Sequence, residues 1–193
     1  MFGKYSVEIC AGGIEDVVTA SRFPIDRIEL NCALELGGLT PSLSVLSFAR
    51  KHTAVPIVCM VRPRCAGFVY SQSEQAVMLE DAKRLLGLGA DGIVFGFLNP
   101  DHSVNEPAVR KMTELIHSYG RTAVFHRAFD ETADPFKAME SLISCRIDRV
   151  LTSGHAGTAP LGAPLLKKLI EAYGSDIEIL PGCGINAENI KTI

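Results

Sequence analysis

Thr122-Ala123-Val124-Phe125-His126-Arg127-Ala128-Phe129-Asp130 begins as an apolar β-type run and ends in His, Arg and Asp. A strand that is plain below and chemically equipped at its carboxyl end is how an α/β barrel presents a site. Its lower strand is core, and its tip meets ligands. The same residues also allow a structural reading, with His126 a hydrogen-bonded core histidine and Arg127 and Asp130 a surface pair. The neighbouring sequence weighs between the two.

Upstream, Glu106–Ser118 reads as a helix opened by Pro107 and stopped by Gly120. Downstream, Pro135–Cys145 reads as another helix. The pattern extends both ways. Strands are predicted at Tyr5–Cys10, Asp26–Asn31, Pro56–Arg62, Ile93–Phe97, Asp148–Ser153 and Asp176–Pro181. Helices are predicted at Glu15–Arg22, Ser44–His52, Glu74–Leu88 and Pro164–Tyr173, with another starting at Asn186. In Glu74–Leu88 the apolar positions Val77, Leu85 and Leu88 fit one helical face. Strict alternation of strand and helix implies parallel strands with helices outside them. The fold expected is therefore a TIM-type (β/α) barrel forming a single domain over residues 1–193, with seven strand-helix units visible. The last unit is missing, so the domain is expected to be C-terminally incomplete and more prone to self-association than a longer chain.

Three phrases place an Asp just ahead of an apolar strand: Asp26 before Arg27-Ile28-Glu29-Leu30, Asp91 before Gly92-Ile93-Val94, and Asp148 before Arg149-Val150-Leu151. A doubly wound open sheet is the rival. Its first βα turn would carry Gly-x-Gly-x-x-Gly, whereas Cys10-Ala11-Gly12-Gly13 does not. Glu8, Glu29 and Arg62 also lie inside strands that such a sheet would keep apolar on both faces.

Composition narrows the function. The chain is 47% hydrophobic and 21% charged, which suits a globular core and not a disordered segment. A net charge of −3 gives no electrostatic footprint for nucleic acid or an anionic membrane. No run is long enough to span a bilayer, and Met1–Cys10 lacks the pattern of an export signal. Six cysteines without a Cys-x-x-Cys pair read as thiols of a reducing, cytoplasmic compartment.

Side chains alternate along a strand. With aliphatic residues turned to the helices, Glu8, Cys10, Glu29 and Asn31 share the other face, and Arg62 ends the third strand. Buried charges of this kind must pair with one another or with a ligand. Arg62-Pro63-Arg64 puts two guanidinium forks on a rigid turn, suited to carboxylate or phosphate. Thr152-Ser153-Gly154 and Gly182-Cys183-Gly184 are small strand tips, and late barrel loops often hold anions. The enzyme reading makes Arg62, Arg64 and Arg127 an anion clamp, with Thr152, Ser153, Gly182 and Gly184 beside it. His126 is then the general acid or base, and Glu8, Glu29 and Asp130 orient it or accept a proton. Cys10, Cys32, Cys59 and Met60 form a separate sulfur group, although free cysteine is commonly just buried.

Glu8-Ile9-Cys10, Asp26-Arg27-Ile28-Glu29-Leu30, Gly37-Gly38-Leu39-Thr40-Pro41-Ser42, Arg62-Pro63-Arg64, Phe125-His126-Arg127-Ala128-Phe129-Asp130, Leu151-Thr152-Ser153-Gly154 and Pro181-Gly182-Cys183-Gly184-Ile185 occur in this order. Together with Phe68 and Tyr70-Ser71, the set resembles the CutC family of copper homeostasis proteins across almost the whole chain. The resemblance implies a TIM-type barrel, a cytosolic homo-oligomer, and a role in copper tolerance in which Cu(I) meets Cys10 and Cys32. The family pattern carries Cys directly after Glu-Leu, where this chain has Asn31 with Cys32 next. One residue reverses side-chain direction in a strand. Cys65-Ala66-Gly67-Phe68 likewise stands in place of the family's Gly-Gly-Asp-Phe.

Overall fold

The computed structural model describes residues 5–191. Seven parallel strands alternate with helices in a TIM-like α/β fold. The strands are β1 (Glu8–Ala11), β2 (Arg27–Leu30), β3 (Ile57–Met60), β4 (Gly92–Phe95), β5 (Thr122–Phe125), β6 (Arg149–Thr152) and β7 (Glu178–Pro181). The helices are α1 (Ile14–Ala20), α2 (Leu43–His52), α3 (Gln72–Gly87), α4 (Glu106–Ser118), α5 (Pro135–Ser144) and α6 (Ala159–Tyr173). The chain forms two compact units. The first runs to Ala66 and adds Ser71–Phe95 and Glu114–Thr122; the second contains Gly67–Tyr70, Gly96–Thr113 and the chain from Ala123 onward.

In the first unit β1, β2, β3 and β4 pair in that order, with Cys10 opposite Glu29 and Glu8 opposite Arg27. Its core is built on Ile28, Leu30, Leu46, Ile57, Leu85 and Ile93, all fully buried. In the second unit β5, β6 and β7 pair in order, with Arg149 opposite Glu178. Phe97, Met112, Phe125, Phe129, Leu142 and Val150 fill its core.

The three aspartates placed ahead of strands share one contact. Asp26 accepts the Val7 N–H at 2.8 Å and returns its own N–H to the Val7 carbonyl at 3.0 Å. Asp91 does the same with Ile57, at 2.9 and 2.7 Å. Asp148 does so with Ala123, at 2.7 and 3.0 Å. Each carboxylate thus gives a partner to a strand-opening N–H that would otherwise be buried or half-buried without one. Asp91 also pairs with Arg50 and Arg121, both at 2.9 Å.

Helix starts follow their caps. Ser42 opens α2, a Ser71–Glu74 capping box opens α3, and Asp134 opens α5. Three expectations change. The buried face of α3 is Met78, Ala82, Leu85 and Leu86, while Val77 and Leu88 are exposed. Helix α6 begins five residues before Pro164, at Ala159. Pro164 sits inside it at the cost of one backbone bond. Pro160, in its first turn, is the residue with the missing donor that a helix start tolerates. Beyond β7, Asn186 caps a turn over residues 187–191, in place of the expected helix within the described residues.

Replacing Asp91 by Ala strips Ile57 N–H, on a fully buried residue, of its acceptor and removes the carboxylate partner of Arg50 and Arg121. Urea unfolding of Asp91→Ala should show a loss of about 1–3 kcal/mol, and an unchanged midpoint would contradict this role.

Candidate functional site

The carboxyl ends of β1 and β2 carry one polar cluster in the first unit. Register places Cys10 beside Glu29, and alternation brings Asn31 onto the same face. The Cys10 thiol faces the Glu29 carboxylate, Sγ to Oε1 3.7 Å. Asn31 Nδ2 donates to Glu29 Oε1 at 2.9 Å and lies 3.5 Å from Cys10 Sγ. Glu29 and Asn31 are buried; Cys10 has solvent on it although its sulfur turns inward. Burial, then the charge and hydrogen bond of Glu29, push the Cys10 thiol up to about 12. Below this cluster Glu8 is held by Arg27 at 2.9 Å, so it is half of a part-buried ion pair.

Cys32 does not join the cluster by its thiol, which donates to the Thr40 carbonyl at 3.1 Å. Cys59 is a core residue whose thiol burial pushes up to about 12. Among the described residues, no three of His, Cys, Asp and Glu gather about one point.

Arg62 and Arg64, expected as adjacent anion forks, have separate tasks. Arg62 Nη1 donates to the carbonyls of Leu36, Gly37 and Gly38 at 3.1–3.3 Å, and Nη2 donates to Cys65 at 3.1 Å. Arg64 pairs with Glu74 at 2.5 Å, and this bond holds the Glu74 carboxyl down at about 2.

In the second unit the tips of β5 and β6 meet through Asp130. Its carboxylate accepts from Thr152 Oγ1 at 2.5 Å, Ser153 N at 3.0 Å, Ser153 Oγ at 2.9 Å, His155 N at 3.2 Å and Arg127 Nε at 2.8 Å. Burial pushes this carboxyl up. The hydrogen bonds from Thr152, Ser153 and Arg127 outweigh it and hold the group below its ordinary value. Asp130 therefore ties two strand tips together. His126 is 3% exposed, lies under the Phe68 ring at 4.8 Å, and accepts the Ala128 N–H through Nδ1 at 3.1 Å. That bond leaves Nε2 as the protonated nitrogen. Arg127 keeps 40% of its side chain exposed, and its Nη2 reaches Ser153 Oγ at 3.2 Å.

Gly182 donates its N–H to Thr152, and a Cβ there would run into Leu151. Gly184 is left-handed and lies against Thr158, while the Cys183 carbonyl takes the first N–H of α6. Gly182 thus extends the pairing of β7 with β6, and Gly184 packs at the start of α6. Sequence reading missed two contributors. His155 packs edge-on to Phe129 and meets Thr132 Oγ1 at 3.3 Å. The Ala33–Gly38 loop lies against Asn31, and its Gly37-Gly38 pair was its only sequence mark.

Alternating strands and helices with polar clusters at the strands' carboxyl ends define a TIM-type α/β protein. The chain belongs to the CutC family, whose model matches residues 5–193. It is 48% identical over 187 residues to a CutC family protein of Treponema denticola, covering 97% of this chain and 75% of that one. It is 40% identical over 190 residues to one from Vibrio vulnificus, covering 98% and 76%. A solved CutC structure from Streptococcus agalactiae, named for copper homeostasis, superposes with TM-score 0.90. Its identity is 30%, and the match covers 97% of this chain and 91% of that one. An aldolase, QR15, shares the fold alone, at TM-score 0.65 and 13% identity, over 96% and 84% of the two chains.

The depressed carboxyl of Asp130 stabilises the fold at every pH at which it is ionised. That contribution is present above the unfolded value near about 4 and is lost as pH falls through the lower folded value. Melting temperatures of the parent and Asp130→Asn should differ most at neutral pH and converge in acid. A gap independent of pH would assign Asp130 a purely steric role.

Proposed function

We propose that the chain acts in copper homeostasis in the cytoplasm, taking Cu(I) as transient cargo at Cys10. The observation that carries this is the Cys10–Glu29–Asn31 cluster: an exposed cysteine at a strand's carboxyl end, its thiol set beside a carboxylate and a carboxamide. Soft thiolate donors select Cu(I). Cys10 supplies one when the metal displaces its proton. Cys32 supplies a second only by turning its thiol away from the Thr40 carbonyl. Such a donor set fits loosely held cargo better than a resident metal. The name of the Streptococcus agalactiae relative supports the same reading. No helix among the described residues is long and apolar enough to cross a membrane.

Cu(I) competition against a chromogenic chelator should show binding by the reduced protein that falls in Cys10→Ser. Because Asn31 Nδ2 lies 3.5 Å from Cys10 Sγ, Asn31→Cys puts a second sulfur beside the first. It should tighten Cu(I) by about tenfold or more. Equal affinities in the parent and the Cys10→Ser, Cys32→Ser double variant would refute the site.

A second ligand class, a small carboxylate or phosphate, is favoured by Arg127. Asp130 and Ser153 fix its guanidinium, while much of the side chain meets solvent. Millimolar phosphate should raise the melting temperature of the parent and not of Arg127→Ala; equal shifts would discard this reading.

A further inference from the structure

The loop between β2 and α2 stores backbone strain at Ala33. Ala33, Gly37 and Gly38 are all left-handed, with φ of 50°, 86° and 82°. Ala33 bears a Cβ in that region, which L-residues avoid. The base of the loop is fixed, since Cys32 and Leu39 exchange two backbone hydrogen bonds at 3.0 and 2.8 Å. Between those ends the loop turns on itself, with Leu36 and Gly38 N–H groups both donating to the Ala33 carbonyl.

That winding sends the carbonyls of Leu36, Gly37 and Gly38 toward one point, where Arg62 Nη1 meets all three. A guanidinium nitrogen has two hydrogens, so three carbonyls share two donors. The bonds are correspondingly long, 3.1–3.3 Å, and no single one fixes the loop. Arg62 is anchored from its own side. Its N–H donates to Thr40 Oγ1 at 2.9 Å, and its carbonyl accepts the Thr40 N–H at 3.1 Å.

The held loop presses on the Cys10 site through Gly38. A Cβ on Gly38 would meet Asn31 Oδ1 at 2.5 Å, and one on Gly37 would meet Arg62 Nη1 at 2.9 Å. Asn31 is 1% exposed, and its Oδ1 accepts no hydrogen bond among the described residues. With Oδ1 against Gly38, the Asn31 Nδ2 is turned to both Glu29 Oε1 and Cys10 Sγ. On the other flank Leu34 lies over Gly12, two residues from Cys10.

We infer that Arg62 is a positioning residue for the Cys10 site, acting through the Ala33–Gly38 loop, which is the movable wall of that site. Arg62 gathers the loop carbonyls, Gly38 sets Asn31, and Asn31 sets the surroundings of the Cys10 sulfur. When the loop lifts, Asn31 Oδ1 is uncovered as an acceptor for a donor-bearing ligand, and the thiol gains solvent. The importance of this wall rests on Cys10 being the functional thiol. Its test needs no copper, so the two ideas fail separately.

The test is the alkylation rate of Cys10 by iodoacetamide at one fixed pH, in a chain whose other exposed thiols are removed by Cys65→Ser and Cys183→Ser. Amide exchange over residues 33–38 is followed in parallel. Arg62→Ala should raise both, the alkylation rate by about fivefold. Arg62→Lys, which keeps a donor, should recover part of the difference. Gly38→Ala should change the rate as well. Gly120→Ala, equally left-handed at φ 65° but facing open space, should lower stability without moving it. Should Arg62→Ala fail to fold, Arg62→Lys and Gly38→Ala decide. A loop that exchanges faster while Cys10 alkylates at the parent rate would overturn the inference. So would a Gly120→Ala chain whose rate moves as much as that of Gly38→Ala.

Discussion

The carboxylate that takes the first N–H of a neighbouring strand is the constraint on which the site depends. A parallel strand begins where a helix has just ended, and its opening N–H has no partner in the helix it left. Asp26, Asp91 and Asp148 each supply one and return a backbone N–H in exchange. The reciprocal pair fixes both the position and the register of the strands it joins. Once Val7 is fixed against Asp26, β1 and β2 run in step, and Glu8 meets Arg27 before Cys10 meets Glu29. A slip of β1 by one residue would turn Glu8 and Cys10 away from Arg27 and Glu29. The chemistry at the upper ends is thus set by carboxylates at the lower ends.

At those upper ends the two units use one device with opposite signs. In the first, a buried guanidinium collects carbonyls: Arg62 binds those of Leu36, Gly37, Gly38 and Cys65. In the second, a buried carboxylate collects N–H and O–H groups: Asp130 binds those of Thr152, Ser153, His155 and Arg127. Loop ends leave backbone dipoles without ladder partners, and one charge with several bonding directions satisfies many of them at once. Charged residues at barrel tips are therefore not, by type alone, ligand-binding residues. What separates Arg127 from Arg62 is that part of its side chain still faces solvent.

Strand and helix alternation was legible because it is written in local pattern, and β5 and α4 fall where periodicity and punctuation put them. The shared face of Glu8, Cys10 and Glu29 was legible for the same reason, since alternation is a property of the strand itself. The task of Arg62 was not. A guanidinium is satisfied by carboxylate, phosphate or carbonyl alike, and only the winding of the Ala33–Gly38 loop decides which it meets. Val77 illustrates the same limit in a helix. A single apolar face could be drawn through Val77 or through Met78, and packing chose Met78. The start of α6 was misplaced because two prolines compete for it, and the helix opens at Ala159 ahead of Pro160, with Gly162 close against the Ser153 carbonyl.

The register of β2 also bears on what the sulfur atoms can do. Residues 29 and 31 share a face with Cys10, and residue 32 has the opposite sense, which is why the Cys32 thiol finds the Thr40 carbonyl and not Cys10. The side chain that does lie beside the Cys10 sulfur is a carboxamide, which offers a hard oxygen and an N–H where a second thiol would offer a soft donor. The oxygen is turned to Gly38 and the N–H to the sulfur and Glu29. An N–H aimed at sulfur suits a thiol or thiolate that is waiting and not one already shared with a metal. One residue of offset between Asn31 and Cys32, fixed in turn by Asp26 at the foot of the strand, therefore separates a closed pair of thiols from a single thiol held in a polar cradle.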